Sequence, residues 1–263
     1  MMRGRALRAG AALAVVVVLA VGALVLRRAA GRKLHRFPYL TGPASSQGPE
    51  LARFTVSSVE VAPGVALRVA TRRGTGGGWL VFFAGNDERP LDQGARWLER
   101  TEPPGRSLLT FAPRGFDGSG GEPSPSVAVA DALVVLSAHG VTPADTTLVG
   151  FSLGAPTAAH VAAEWTKRGT PPARVVTIAG AAELAMLPRA PWAALLEGDV
   201  YEVEPSLRVG APVLALHGAD DHTLPPSMLE AWRARIEPAG TLTTRVLPGE
   251  DHATVLDATT SIP

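Results

Sequence analysis

The sequence has no cysteine among its 263 residues. The chain therefore cannot use a disulfide framework, a thiol nucleophile or a cysteine-ligated zinc site. Aromatic residues are scarce, at 5% of the chain, and they are not interleaved with basic residues. The 25 Lys and Arg residues are nearly balanced by 24 Asp and Glu residues, which leaves a formal net charge of +1. Since the chain has no strong excess of positive charge, we do not expect nucleic acid as a partner.

Motifs for metals and phosphates are missing too. Asp220, Asp221 and His222 are contiguous, so their side chains diverge instead of converging on one ion. The glycine-rich stretch 114–121 lacks the Gly-Lys-Ser/Thr ending of a phosphate-binding loop. We expect no metal and no other cofactor, and we interpret 114–121 as a structural loop near the pocket. Asp131 is expected on the solvated face of a helix.

One long apolar run is present, at the N-terminus. The 18 residues from Ala9 to Leu26 are uncharged, which just reaches the span of a bilayer core. The run ends at Arg27-Arg28, a pair typical of stop-transfer, so segment 1–36 is predicted to be a single-pass membrane anchor. The alternative is a cleaved signal peptide of a secreted protein, since Val21-Gly22-Ala23 resembles a cleavage site. Basic residues on both flanks leave the side of the membrane open.

After the predicted anchor, the sequence predicts a linker at 37–52 and one domain at 53–263. Strand-like and helix-like segments alternate in this domain, which indicates an α/β fold with a mostly parallel sheet covered on both faces. The predicted strands are Arg53 to Val61 and Val65 to Arg72 as an antiparallel pair, then Trp79 to Ala84, Ser107 to Ala112, Thr146 to Val149, Val175 to Ala179, Val213 to Leu216 and Thr241 to Leu247. The predicted helices are Leu91 to Arg100, Ser126 to Ala138, Leu153 to Arg168 and Ser227 to Ile236.

The pentapeptide Gly150-Phe151-Ser152-Leu153-Gly154 stands between a predicted strand and a predicted helix. A serine on a tight strand-to-helix turn is a nucleophile elbow, where glycines permit the sharp turn and the close approach of strand and helix. Ser152 is therefore the candidate nucleophile. The backbone N–H groups of Leu153 and of Asn86, which follows the third strand, are the candidate oxyanion donors. An ordinary strand-end turn is the alternative for Gly85-Asn86.

Four histidines follow the candidate nucleophile, and the elbow fold requires the order serine, acid, histidine. His160 lies on the helix that leaves the elbow, before any suitable acid. His217 precedes the acidic loop that contains Asp220 and Asp221. His222 adjoins Asp221 too closely to donate a hydrogen bond to it while also reaching the serine. His252, in a glycine-containing loop after the last predicted strand, is therefore the candidate base. Either Asp220 or Asp221 could be the acid.

Four blocks of the sequence resemble the α/β-hydrolase superfamily, and in particular its Bem46-like and ABHD13-like branch of N-terminally membrane-anchored serine hydrolases. The resemblance spans residue 53 to the C-terminus. The blocks are Phe82-Phe83-Ala84-Gly85-Asn86, similar to Phe-His-Gly-Asn; residues 113–121, similar to Arg-Gly-Tyr-Gly-x-Ser-x-Gly; the elbow itself; and residues 216–225, similar to His-Gly-x-x-Asp-x-x-Val-Pro.

The resemblance implies an α/β-hydrolase fold with a short lid at about 181–210 and makes Asp221 the acid. In the lid, Met186, Leu187 and Trp192 could bind substrate, although such spacing also suits a short helix packed on the core. The sequence departs from the family at two places. Ala84 replaces the usual His, and Asp117-Gly118 replaces the usual Gly and a variable residue, so the oxyanion loop is expected to be braced differently.

Together these features predict a membrane-anchored serine hydrolase that cleaves carboxylic esters or thioesters through Ser152, His252 and Asp221. Its expected partners are a small-molecule or lipid acyl ester and the membrane; the oligomeric state is open. The alternatives are a catalytically silent relative that binds lipid or acts as a scaffold, which Ala84 favours, and a serine peptidase.

Overall fold

The computed structural model describes residues 18, 21–23, 41–42, 46–101, 104–182, 203–204, 206–237 and 241–259. Two units are distinguished along the chain. The first comprises Met1–Pro38 and Ala185–Val200; of these, residues 18 and 21–23 are described, and they are helical. The second comprises Tyr39–Leu184 and Tyr201–Pro263 and contains the sheet and its helices.

The second unit is built on an eight-stranded sheet. Its strands are β1 (Thr55–Ala62), β2 (Val65–Arg72), β3 (Trp79–Phe83), β4 (Ser107–Phe111), β5 (Thr146–Phe151), β6 (Arg174–Ile178), β8 (Val213–Gly218) and β10 (Leu242–Leu247), and β7 (Leu207–Arg208) and β9 (Ile236–Glu237) form a separate parallel pair. The order across the main sheet is β1-β2-β4-β3-β5-β6-β8-β10. Strand β2 is antiparallel to its two neighbours, and the other neighbouring pairs are parallel.

Five helices cover the described part of this sheet: α1 (Pro90–Thr101), α2 (Pro125–Ala138), α3 (Gly154–Lys167), α4 (Met228–Arg235) and α5 (Thr254–Ala258). Because side chains alternate along a strand, Leu80 and Phe82 of β3 pack with α1, while Val81 packs with α2 and α3 on the opposite face. Both faces are thereby buried, as in a parallel α/β sheet.

The predicted mostly parallel sheet is confirmed, and every main-sheet strand lies within two residues of its predicted ends. Four helices also match, while α5 and the pair β7 and β9 were missed. These elements have two to five residues each, which is too short for a periodic pattern. The elbow helix begins at Gly154, one residue after the prediction, because Leu153 forms its N-cap.

Part of the predicted linker is bonded to the domain. Gly42 exchanges backbone hydrogen bonds with the 115–118 loop, and Ser46 is buried against Asp117. The Asp117 carboxylate accepts hydrogen bonds from the Ser46 hydroxyl and N–H, from the Arg68 guanidinium and from the Leu91 N–H. Asp117, one of the two departures from the family pattern, is thus a buried, hydrogen-bonded carboxylate. It connects the segment at Ser46 with β2 and α1.

Two predictions concern regions outside the described residues. The predicted anchor at 1–36 is described only at residues 18 and 21–23, and the lid residues Met186, Leu187 and Trp192 are all outside. Within the described ranges, no helix combines the length and the apolar character needed to cross a bilayer.

Candidate active site

Ser152 lies in a strained turn between β5 and α3. Its φ is 50°, a left-handed value that non-glycine residues rarely adopt, and its N–H donates to the Ile178 carbonyl at 3.0 Å. The two motif glycines allow this turn to pack closely. A Cβ on Gly150 would lie 2.5 Å from the Cα of Ala155, and one on Gly154 would lie 2.2 Å from the Phe83 carbonyl oxygen. The elbow geometry predicted from the pentapeptide is therefore present.

Three of the predicted side chains meet at this turn. His252 Nε2 lies 3.1 Å from Ser152 Oγ, and His252 Nδ1 lies 2.7 Å from Asp221 Oδ2. The carboxylate can only accept, so Nδ1 carries the proton and Nε2 is left to accept from the serine hydroxyl. The arrangement is a continuous hydrogen-bond chain from carboxylate to imidazole to hydroxyl.

Burial and backbone contacts distinguish Asp221 from its neighbour. Asp221 is 1% exposed, and its Oδ1 accepts from the N–H groups of Thr223 and Leu224 at 2.9 and 2.8 Å. Asp220 is exposed, and its N–H donates to the Glu250 carbonyl. The chain thus places Asp221, and not Asp220, against His252.

Local hydrogen bonds and one aromatic contact hold the turn that carries His252. Asp251 Oδ1 accepts from the N–H groups of Ala253 and Thr254 at 2.8 Å, and these bonds lower the pKa of the Asp251 carboxyl. The ring of Phe151 lies 5.3 Å from the imidazole, measured between centroids. Rotation of the imidazole is restricted, since both of its nitrogens are hydrogen-bonded and an aromatic ring lies beside it.

A second imidazole lies behind the acid. His217 is fully buried; its Nε2 donates to the Leu224 carbonyl at 2.8 Å and lies 3.7 Å from Asp221 Oδ2. Burial lowers the pKa of His217 below its ordinary value of 6.5, against the opposing effects of the Leu224 hydrogen bond and Asp221. Sequence reasoning excluded His217 as the base but did not anticipate that it would support the acid loop.

We expect His217 to make the fold less stable in acid. Its folded-state pKa is lowered, so the unfolded chain binds the proton first and stability falls as pH drops through 6.5. His217→Gln, which keeps an N–H for Leu224, should reduce this loss by up to about 1.4 kcal/mol per pH unit. Urea unfolding between pH 7.5 and 5.5 measures it, with the exposed His222→Gln as control. Equal pH dependence in wild type and His217→Gln would contradict the prediction.

The candidate oxyanion donors flank the nucleophile. Leu153 follows Ser152 at the start of α3, and a Cβ on Gly85 would lie 3.1 Å from the Ser152 Cβ, so the loop carrying Asn86 is adjacent. This loop is held from α1, because Gln93 Oε1 accepts from the Gly85 N–H at 3.0 Å. The same amide donates through Nε2 to Asp87 Oδ2 at 3.1 Å. Sequence reasoning missed Gln93, since no loop motif includes it.

Asp131 corrects the sequence prediction. It is 4% exposed, and the Arg114 guanidinium donates to both of its oxygens at 2.6 and 2.7 Å. This bidentate hydrogen bonding raises the pKa of Arg114. Helical periodicity indicated a polar position on α2 but could not reveal an arginine 17 residues earlier as its partner. The loop 114–121 does lie beside a pocket, as predicted.

That pocket lies next to the loop that carries Asn86; it is partly open to solvent and has a cavity volume of about 40 Å³. Its lining is mainly apolar and comes from β2, β3, β4, α2, α3 and the 113–124 loop. The lining residues are Leu67, Phe83, Ala84, Gly85, Phe111, Pro113, Arg114, Phe116, Pro123, Ser124, Val127, Ala128, Asp131, Leu153, Gly154 and Thr157. Among the described residues, no group of three or more His, Asp or Glu could hold a metal ion.

Comparison with solved structures identifies the fold. The chain is similar to α/β hydrolase domain-containing protein 10 from mouse, with 19% identity, a TM-score of 0.63 and coverage of 78% of this chain and 95% of that one. It is also similar to an α/β serine hydrolase homologue from Coxiella burnetii, with 18% identity, a TM-score of 0.57 and coverage of 83% of this chain and 97% of that one. The esterase RhEst1 from Rhodococcus sp. ECU1013 is similar as well, with 18% identity, a TM-score of 0.58 and coverage of 78% and 94% of the two chains. The chain has the α/β-hydrolase fold. No protein-family model and no curated protein matches its sequence.

Proposed function

We propose that this protein is a serine hydrolase that cleaves carboxylic esters or thioesters. The observation that carries the proposal is the chain of hydrogen bonds from Asp221 through His252 to Ser152, with the serine held at φ 50° on a nucleophile elbow. Esterases and serine hydrolases among the structures of similar fold support the same class of reaction.

The chemistry follows from these groups. His252 Nε2 takes the proton from Ser152 Oγ as the oxygen attacks the carbonyl carbon, and Asp221 stabilises the charged imidazolium. The imidazolium then gives that proton to the departing alcohol or thiol, which leaves an acyl group on Ser152. Water, deprotonated by the same nitrogen, attacks the acyl carbon and releases the acid, and the proton returns to Oγ.

Negative charge on the carbonyl oxygen needs fixed donors, which we assign to the N–H groups of Leu153 and Asn86. Loss of one such donor typically raises the barrier by about 2.7–4 kcal/mol. Leu153 is the N-cap of α3, so the partial positive charge of the helix N-terminus reinforces its N–H.

We further propose that 1–36 anchors the enzyme in a membrane, as in the Bem46-like branch. Deletion of 1–36 should then give a chain that still cleaves short, water-soluble esters, since the contacts at Gly42 and Ser46 are retained. Its activity on esters embedded in vesicles should fall about tenfold or more, because a helix of this length supplies location rather than chemistry. Flotation with lipid vesicles measures membrane binding of the full and the shortened chain, and hydrolysis of vesicle-embedded esters measures their activity. If expression of the full sequence yields a soluble protein that begins near Leu24, that result would support the signal-peptide alternative instead.

A catalytically silent relative remains the second candidate because Ala84 replaces the usual His. A fluorophosphonate probe separates the two, since it labels only an activated serine. We expect labelling at Ser152, found by mass spectrometry of the tryptic peptide. A folded chain without labelling would support the silent relative.

A further inference from the structure

We propose that the apolar pocket beside the loop that carries Asn86 binds the acyl chain of the substrate and, with a volume of about 40 Å³, selects a short, neutral chain. The inference rests on the proposed hydrolase function and adds the part of the substrate that determines specificity. The pocket is lined by Gly85 and Leu153, and both lie beside Ser152: Leu153 follows it along the chain, and a Cβ on Gly85 would lie 3.1 Å from the Ser152 Cβ.

The position of His252 decides which half of the ester enters. The leaving oxygen must receive its proton from His252 Nε2, so the alcohol stays on the histidine side. His252 is not among the described residues that line the pocket, whereas Leu153 and Gly154, at the start of α3, do line it. With the carbonyl oxygen at the Leu153 and Asn86 N–H groups, the acyl chain points into the pocket and the alcohol points away from it.

The chemistry of the wall selects a neutral chain. Arg114 and Asp131 are the two charged lining residues, and they satisfy each other through two hydrogen bonds. An anionic chain would have to displace the Asp131 carboxylate from Arg114 while losing its own hydration. Phe111, Phe116 and Val127 supply apolar surface, and each buried methylene is worth roughly fourfold in kcat/KM.

The test compares acyl-chain preference in pocket variants. Wild type should prefer p-nitrophenyl butanoate over the acetate by about tenfold in kcat/KM and reject the hemisuccinate ester. Val127→Phe narrows the pocket and should reduce the butanoate-to-acetate ratio about tenfold, while Val127→Ala should shift the preference towards hexanoate. Val134→Phe, on the exposed part of the same helix, should leave the ratio unchanged.

A second series fixes the acyl group as acetyl and lengthens the alcohol. Val127→Phe should leave this series in its wild-type order; a changed order would assign the pocket to the alcohol and overturn the proposal. Ser152-dependent hydrolysis with an unaltered acyl ratio in both Val127 variants would overturn the pocket alone. A folded wild type without labelling or hydrolysis would overturn the proposed function as well.

A different observation carries a second inference: we propose that Gln93 is a positioning residue for the oxyanion donor at Asn86. Its amide bonds to both neighbours of Asn86, since Oε1 accepts from the Gly85 N–H and Nε2 donates to Asp87 Oδ2. The turn is closed further by the Asp87 N–H to the Gly85 carbonyl and by the Arg89 N–H to Asp87 Oδ1. Helix α1 thereby fixes the direction of the Asn86 N–H, in a loop where Ala84 can supply no polar group.

A polarity swap tests this role. Gln93→Glu keeps the acceptor for Gly85 but sets a carboxylate against Asp87, and should lower kcat about tenfold to hundredfold with little change in KM, because the donor acts in the transition state. Adding Asp87→Asn restores a donor facing residue 93 and still accepts from the Arg89 N–H. The double variant should recover kcat to within about threefold of wild type.

The rate of fluorophosphonate labelling should follow kcat through the series, since the phosphonyl oxygen uses the same donors. Gln93→Met, which removes both bonds without adding charge, should show the same kcat loss at temperatures well below its melting point. A purely structural role would lower the melting temperature and leave kcat per labelled enzyme unchanged. That result, or a double variant no better than Gln93→Glu alone, would overturn the proposal.

Discussion

Replacement of Ser152 by Ala should abolish both fluorophosphonate labelling and ester hydrolysis while the domain stays folded. The hydroxyl is the only group at the elbow that can attack a carbonyl, and its loss in comparable triads lowers kcat by about 10⁶. Alanine retains the small volume that the turn requires. It does not remove the strain of φ 50°, so stability should change by less than about 1 kcal/mol. Steady-state rates and thermal unfolding measure the two effects separately.

Ser137→Ala provides the matched control, because Ser137 is an exposed serine on α2. It should label and turn over at the wild-type rate. Hydrolysis by Ser152→Ala within tenfold of wild type would show that another group carries the reaction.

The second large effect separates the two adjacent aspartates. Asp221→Asn should retain the fold but lower kcat by about 10⁴, because an amide that donates to Nδ1 favours the wrong imidazole tautomer. Asp220→Asn should lower kcat by tenfold or less, since this exposed carboxylate acts only through screened charge. The two variants carry the same chemical change one residue apart, so the comparison controls for the loss of a carboxylate. Kinetics on one short-chain ester suffice.

Two outcomes would contradict the assignment. If Asp220→Asn were the crippling change, the acid would be the wrong member of the pair. If neither mattered, the 2.7 Å contact between Asp221 and His252 would have no catalytic role.

The main sheet and the elbow could be predicted because their signals are local. Buried strands such as β3 are continuous apolar runs, and the elbow combines a turn, a nucleophile and two close contacts in five residues. His252 followed from elimination, because the fold dictates the order of the three groups along the chain. The choice of Asp221 needed the family pattern, since no local rule tells which of two adjacent carboxylates a loop turns inward.

The sequence could not reveal hydrogen-bond partners that lie far apart along the chain. Gln93 reaches the loop that carries Asn86 from the first turn of α1, and Asp131 pairs with an arginine in a loop before its own helix. Asp117 is bonded to Ser46, 71 residues away. Each of these polar residues is indistinguishable from a solvated one by composition, because its burial is decided by packing of the whole domain.

The bond between Ser46 and Asp117 determines where the catalytic unit can be shortened. A chain trimmed at residue 37 retains the Ser46 hydroxyl and N–H that donate to this carboxylate, whereas one trimmed at residue 53, where the first strand is predicted to begin, loses both. Asp117 would then stay buried without the two Ser46 donors, at a cost on the order of 1–3 kcal/mol. The practical boundary for expressing the isolated domain is therefore set by a buried carboxylate in a distant loop, some residues before the first regular element.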